Sequence, residues 1–308
     1  MTPDVLLYVG EALGKYGFPN GHPFGTDRQD AFWKETVKQG LDKSAKLAAP
    51  RAATRDEIER FHSAHYVERV DGLSELGVGS IDYGDTPAYP GVYDASAAVV
   101  GSALEGLERV MSGDIYRTFQ PIGGLHHARR DNGAGFCVFN DCGVVIDTLR
   151  EKYGIRKVAY VDIDVHHGDG LFYPYENDPK VFVADIHEDG RFLYPGKATP
   201  ARQAKARPPE PSSTFRCNPA QPIGFSCASG SAWSNLCGAS SPNSSCSSAA
   251  PTVLPAIRLR ICNTRRRPTR MPRGACAGSP MSSRVAVSWA LAAAAIIGPT
   301  SRSRGTRC

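Results

Sequence analysis

The chain has 308 residues, 41% of them hydrophobic and 22% charged, with a formal net charge of +5. That is enough chain for one large α/β domain. A secretory leader, a membrane span and a disulfide framework are not expected: Met1–Gly10 lacks a charged-then-apolar pattern, Val285–Gly298 is short and Ala-rich, and only Cys137 and Cys142 precede residue 197, which suits a reducing, cytoplasmic setting.

Val5–Val9 is predicted as a first strand and Asp30–Leu41 as a helix. Thr54–Phe61 has the signature of a helix opened by Thr54, with Asp56, Glu57 and Glu59 near its start. Asp94–Met111 is an amphipathic helix rich in Ala, Val and Leu, and Gly143–Tyr153 is another. Lys157–Asp162 and Val181–Asp185 are strands. Alternating β and α elements predict an α/β fold: an open parallel sheet with helices on both faces and ligands beyond the carboxyl ends of the strands.

The chemistry-bearing residues fall at such an end. Asp162, Asp164, His166, His167 and Asp169 lie within eight positions, behind the apolar run Val158–Val161. Side chains alternate faces along a strand, so Asp162, Asp164 and His166 share one face. A carboxylate and an imidazole two residues apart can reach one metal ion, and Zn²⁺ accepts this O/N mixture. A second segment, Gly123-Gly124-Leu125-His126-His127, adds two imidazoles. A lone His-His is usually a packed pair, and one Asp at a strand end is commonly a loop cap. Together they are more, because burying so many ionisable groups is costly unless they pair or bind metal.

These segments carry a resemblance. Gly123 to Arg130, then Gly135-Phe136-Cys137-Val-Phe-Asn140-Asp141, then Asp162 to Gly170 resemble the histone deacetylase superfamily, which includes acetoin-utilisation proteins and acetylpolyamine amidohydrolases. His22-Pro23, Phe61-His62-Ser63, Gly84 to Pro87 and Tyr194-Pro195-Gly196 follow the family's order. The resemblance covers residues 1–196. It implies an arginase/deacetylase-like sheet and a metal, zinc or iron, held by Asp164, His166 and a third carboxylate. It implies His126 and His127 as general base and general acid, backed by Asp162 and Asp169 respectively. It places Asp85 at the substrate backbone and Phe136 and Tyr194 as aromatic walls beside Gly135. It implies K⁺ at Asp162, Asp164, His166, Asp185 and Ile186. His187 is expected to help Asp185 frame that monovalent-cation site, or equally to be a satisfied core histidine; the plainer alternatives are an exposed turn for Asp85 and core packing for Phe136. His167, His62 and His65 are expected to be structural.

The resemblance stops at Gly196, where composition also changes. Residues 1–196 have 20 Lys+Arg and 30 Asp+Glu, a formal charge of −10. Residues 197–308 have 16 Lys+Arg and a single acid, Glu210, a charge of +15. This tail holds seven of the nine Cys and no Asp, His or Tyr. Its Ser, Pro, Ala and Arg bias and lack of period predict an irregular or disordered segment. Its cysteines are spaced 9 to 32 apart with no Cys-x-x-Cys, so no tail zinc site is expected. A basic extension contacting nucleic acid is one explanation. The favoured one is out-of-frame translation after a single-base deletion near codon 197. Shifted by one nucleotide, codons for residues 242–262 permit a strand followed by Gly-Asp-Pro, and those for 291–297 permit Gly-Gly-Gly-Gly-Tyr-Asn. Both resemble family segments, placing the third metal ligand across Ala256 and Ile257 and a tyrosine that polarises the substrate across Ala295 and Ile296.

Three functions are therefore expected in descending order: a metal-dependent deacetylase of an acetylated amine, such as acetyl-lysine or an acetylpolyamine; a catalytically inactive frameshifted remnant; and a basic-tailed nucleic-acid binder. Which acylated amine is taken, and the oligomeric state, stay open.

Overall fold

The structure, a computed structural model, describes residues 5–196, 212–217, 284–290 and 293–297. Among the described residues, eight strands form one sheet: β1 (Val5–Tyr8), β2 (Lys46–Ala48), β3 (Arg117–Gln120), β4 (Lys157–Asp162), β5 (Val181–Glu188), β6 (Ser212–Cys217), β7 (Arg284–Ala290) and β8 (Ala293–Ile297). Their order is β2-β1-β3-β8-β7-β4-β5-β6. Every neighbouring pair is parallel except those of β8, which is antiparallel to both β3 and β7. The α/β class and the mainly parallel sheet are as the sequence predicts.

Helices α1 (Glu11–Gly14), α2 (Arg28–Lys38), α3 (Arg55–Ile58), α4 (Ala64–Leu76), α5 (Val92–Ser112), α6 (Asp141–Glu151) and α7 (Asp169–Tyr175) accompany the sheet. The longest, α5, buries Val92, Val99, Val100, Leu104 and Leu107 completely or nearly so. It packs against α1, α4, α6 and β3. Helix α6 answers with Val144, Val145, Ile146 and Leu149, each fully buried. At roughly 1.5–3 kcal/mol per buried aliphatic side chain, this α5–α6 layer is a major source of stability beneath the site.

Boundaries differ from expectation where local chemistry intervenes. Helix α3 is one turn, not two, because the chain leaves the helix to bury Phe61 and His62. Strand β4 alternates exposed or half-buried Lys157, Ala159 and Val161 with buried Val158, Tyr160 and Asp162, and ends there. Asp164 and His166 therefore do not continue the pleat.

The lack of a period in the tail did not announce β6, β7 and β8. Their backbones pair with the sheet, and backbone pairing requires no amphipathic alternation. The expected frame-shifted ligand positions Ala256 and Ile257 lie outside the described residues, as does most of the segment considered for nucleic acid.

Candidate active site

The site forms where two loops meet. The first follows β3 and carries His126 and His127. Backbone N–H groups of Gly124 and Leu125 donate to Asp141 at 3.1 and 2.9 Å, fixing the loop to the start of α6. Burial raises the Asp141 carboxyl to about 6, although those donors pull it down. The second loop follows β4. Asp162 Oδ1 accepts the N–H of Asp164 at 3.0 Å, and Asp164 Oδ1 accepts the N–H of His166 at 2.8 Å. Two successive carboxylate-to-backbone turns, not a strand face, thus set Asp164 and His166. This corrects the shared-face expectation for the residues beyond Asp162: with no ladder partner among the described residues, Asp side chains capture the N–H groups.

Each histidine of the pair has its own carboxylate. His126 Nδ1 lies 2.6 Å from Asp162 Oδ2 and His127 Nδ1 lies 2.9 Å from Asp169 Oδ1. The two backings differ in charge. Asp162 Oδ2 also accepts the Tyr160 hydroxyl at 2.6 Å, a neutral donor placed by the strand pleat. Asp169 Oδ2 instead accepts Arg129 Nη2 at 2.8 Å, a cationic one. The histidines also differ in charge preference. Burial disfavours the His126 cation, but the charge of Asp162 overrides it and raises the imidazole to about 9. Burial and the neighbouring His126 lower His127 to about 4, despite its bond to Asp169. The rings are 4.2 Å apart.

A cavity of about 300 Å³ is lined by His126, His127, Asp164, His166, Gly135, Phe136, Tyr194 and Asp85. Asp162 and Asp169 stand behind it, fully buried or nearly so. Gly135 has φ +53°, and a Cβ there would sit 2.6 Å from His127 Cδ2 and 2.8 Å from Tyr194 Cε1. Phe136 also adopts a positive φ, 68°. It is held by its N–H to Thr86 Oγ1 at 3.0 Å and its carbonyl to the Tyr16 hydroxyl at 2.7 Å. Such a conformation costs a non-Gly residue of order 1–3 kcal/mol, and these contacts hold it at the cavity wall. Tyr194 meets His127 edge-on at 4.9 Å. Asp85 is exposed at the rim; burial and nearby Asp82 raise its carboxyl.

Asp164 and His166 suit a divalent metal in donor type. Asp164 Oδ1 takes both the N–H and the Nδ1 of His166, at 2.8 Å each, and Oδ2 takes neither. Burial opposes the Asp164 anion, but His166 and the His126 charge bring its carboxyl down to about 2. Among the described residues no third His, Cys, Asp or Glu completes a three-ligand group around these two; the group of three found there is His167, Asp185 and His187. Asp185, expected to share a cation site with Asp162, Asp164 and His166, is the register partner of Asp162, and its two oxygens are bonded to His167 Nδ1 at 2.7 Å and His187 Nδ1 at 3.1 Å. Ile186 belongs to the backbone of β5. Arg129, Tyr160 and Asp141 were missed as supporting groups. Arg28 and Phe24, also on the cavity wall with the guanidinium carbon 4.4 Å from the ring centroid, were missed too. Only Arg129 and Asp141 lay inside quoted motifs, and spacing gave them no role.

Residues 22–218 match the histone deacetylase domain. The chain belongs to the histone deacetylase domain family. It is 34% identical over 203 residues to the acetoin utilization protein AcuC of Bacillus subtilis (strain 168), covering 64% of this chain and 52% of that protein. It is 35% identical over 164 residues to histone deacetylase 8 of Xenopus tropicalis, covering 51% and 44%. The chain thus spans about half the length of these curated relatives. The crystal structure of the HDA15 HD domain superposes with a TM-score of 0.62 at 23% identity, covering 70% of this chain and 63% of that one, a likeness of fold. Within the family match, no helix among the described residues is long and apolar enough to cross a membrane.

Proposed function

We propose that residues 1–196 carry the acid/base and substrate-gripping part of a metal-dependent deacetylase, which hydrolyses an acetylated amine to the free amine and acetate. The observation that carries this reading is the pair of separately backed histidines on one cavity wall with Asp164 and His166. Asp164 and His166 would hold the divalent ion, zinc or iron. That ion supplies Lewis-acid polarisation of the amide carbonyl and of the attacking water.

The chain's own groups divide the proton work. His127 donates its Nδ1 proton to Asp169, so Nε2 carries the lone pair that takes a proton from water. His126, with Asp162 behind it favouring the imidazolium, stabilises negative charge developing on the carbonyl oxygen. In this reading the base role goes to His127, where the sequence expectation gave it to His126; the lowered imidazole of His127 supports it. Phe136 and Tyr194 flank an extended acyl-amine stem, and Asp85 at the rim accepts N–H groups of the substrate. Acetate release from an acetyl-lysine peptide and from an acetylated polyamine tests this with zinc-loaded protein. His127→Gln should lower turnover by roughly 10²–10⁴-fold; unchanged turnover rejects the role.

A second reading has its own observation. The charge jumps from −10 to +15 across residue 196, which supports out-of-frame translation of the tail and a chain lacking its third metal ligand and its tyrosine. K⁺ near Asp162 and Asp164, a cytoplasmic location and self-association belong to the same proposal.

A further inference from the structure

We infer that His167, Asp185 and His187 form a second metal site, separate from the cavity, which takes a first-row divalent transition metal such as Zn²⁺. The three side chains come from two elements. His167 lies in the loop after β4, and Asp185 and His187 are alternate residues of β5. All three are at most 2% exposed. One ligand atom from each lies within 4.8 Å of the others. The imidazole rings are 4.6 Å apart, centroid to centroid. Each oxygen of Asp185 faces a different imidazole nitrogen, at 2.7 and 3.1 Å. Ligands of one zinc ion at about 2.0–2.2 Å stand roughly 3–3.5 Å from each other, so small side-chain shifts convert this cluster into a coordination shell.

A hydrogen-bonded cluster alone does not satisfy these groups. The Gly168 N–H and both imidazoles serve the Asp185 carboxylate. In doing so His187 commits its ring proton to Asp185, and its Nε2 is left buried with no partner. An orphan buried ring nitrogen is costly. A divalent cation gives a ring nitrogen of His187 a partner beside the buried carboxylate. Two nitrogens and a carboxylate select zinc-like ions over K⁺ or Ca²⁺, which prefer all-oxygen shells. The neighbouring residues His166 and His167 thus serve different carboxylates, Asp164 and Asp185.

Metal counting on the full chain tests this independently of any turnover. Chelator-stripped protein is titrated with Zn²⁺ against a chromophoric competitor, in a background carrying Asp164→Asn and His166→Gln. One equivalent should bind, and X-ray absorption at the zinc edge should show imidazole nitrogen and oxygen without sulfur. Adding His187→Gln or Asp185→Asn should weaken that equivalent by at least about 10-fold, with circular dichroism unchanged. No bound equivalent in the background protein overturns the site. So do sulfur neighbours, which would assign the ion to cysteines, or binding indifferent to both added substitutions in folded protein.

Discussion

Gly135 leaves no room for a side chain, because a Cβ would press on His127 and Tyr194 together. Its φ of +53° disfavours any L-residue as well. Gly135→Ala should therefore displace the His127 ring and lower turnover by about 100-fold or more, with the far-UV spectrum retained; wild-type turnover would show that the wall yields. Arg129 acts one step further back, through Asp169. Arg129→Met should lower turnover about 10- to 100-fold and Arg129→Lys should recover part of it; equal loss in both variants would mean that the charge is irrelevant. His62 makes a prediction about stability instead. It is buried, and its Nε2 accepts the Asn140 N–H at 2.8 Å. Burial pushes the imidazole down to about 3, against backbone hydrogen bonds that push it up. An unfolded imidazole titrates near 6.5. Between those values the unfolded chain holds a proton that the folded chain refuses. The stability from neutral His62 is complete above about pH 6.5 and falls with pH by about 1.4 kcal/mol per unit. Urea unfolding at pH 7 and pH 5 should show wild type losing about 2 kcal/mol that His62→Gln keeps. Parallel losses would refute it. Motifs in the sequence brought His126, His127, Asp164 and His166 to attention. They could not reveal the opposite charge preferences of the two histidines, which come from burial, from the Asp162 charge on His126 and from His126 beside His127.

Helix α3 shows how much of an element a few residues decide. Thr54 Oγ1 accepts the Glu57 N–H at 3.3 Å, and Glu57 Oε2 accepts the Thr54 N–H at 3.0 Å, a reciprocal cap. Arg51 forks onto the same Glu57 carboxylate at 2.8 and 3.0 Å. Thr54→Ala should cost about 1 kcal/mol, measured by chemical denaturation, and Thr54→Ser should cost much less; identical midpoints for all three proteins would remove the cap from the account. The opening of this helix was legible from Thr54 and the acids that follow. Strand β4 was legible to the residue because Val158 and Tyr160 alternate inward. The strand character of β5 was legible, but its extension through His187 was not, since Asp185 and His187 read as polar residues that should end a strand. They remain inside because they pair with each other and with His167. The loop after β4 was misassigned for the converse reason: alternating Asp and His mimic a period of two, while the carboxylates fold back on the backbone.

At the scale of the molecule, the acidic part supplies a cavity with paired histidines and two metal-type ligands, and the basic part supplies β6, β7 and β8 to the sheet. A catalytic zinc site needs three protein ligands and an open position. Among the described residues, Asp164 and His166 are not joined by a third. Restoring one base near codon 197 places a Gly-Asp-Pro carboxylate and a Gly-rich tyrosine segment into the chain, under the frame reading. Two ligands hold zinc weakly; a third also fixes the direction of the open position, so affinity and chemistry should rise together. The expected result is a gain of at least about two orders of magnitude in both zinc affinity and acetyl-lysine hydrolysis for the frame-restored protein, compared with the chain as written under identical metal loading. Sequencing the coding DNA across codons 190–300 shows whether a base is missing. Equal affinity and equal hydrolysis in the two proteins would defeat the frame explanation and require that the third ligand come from residues of the present tail.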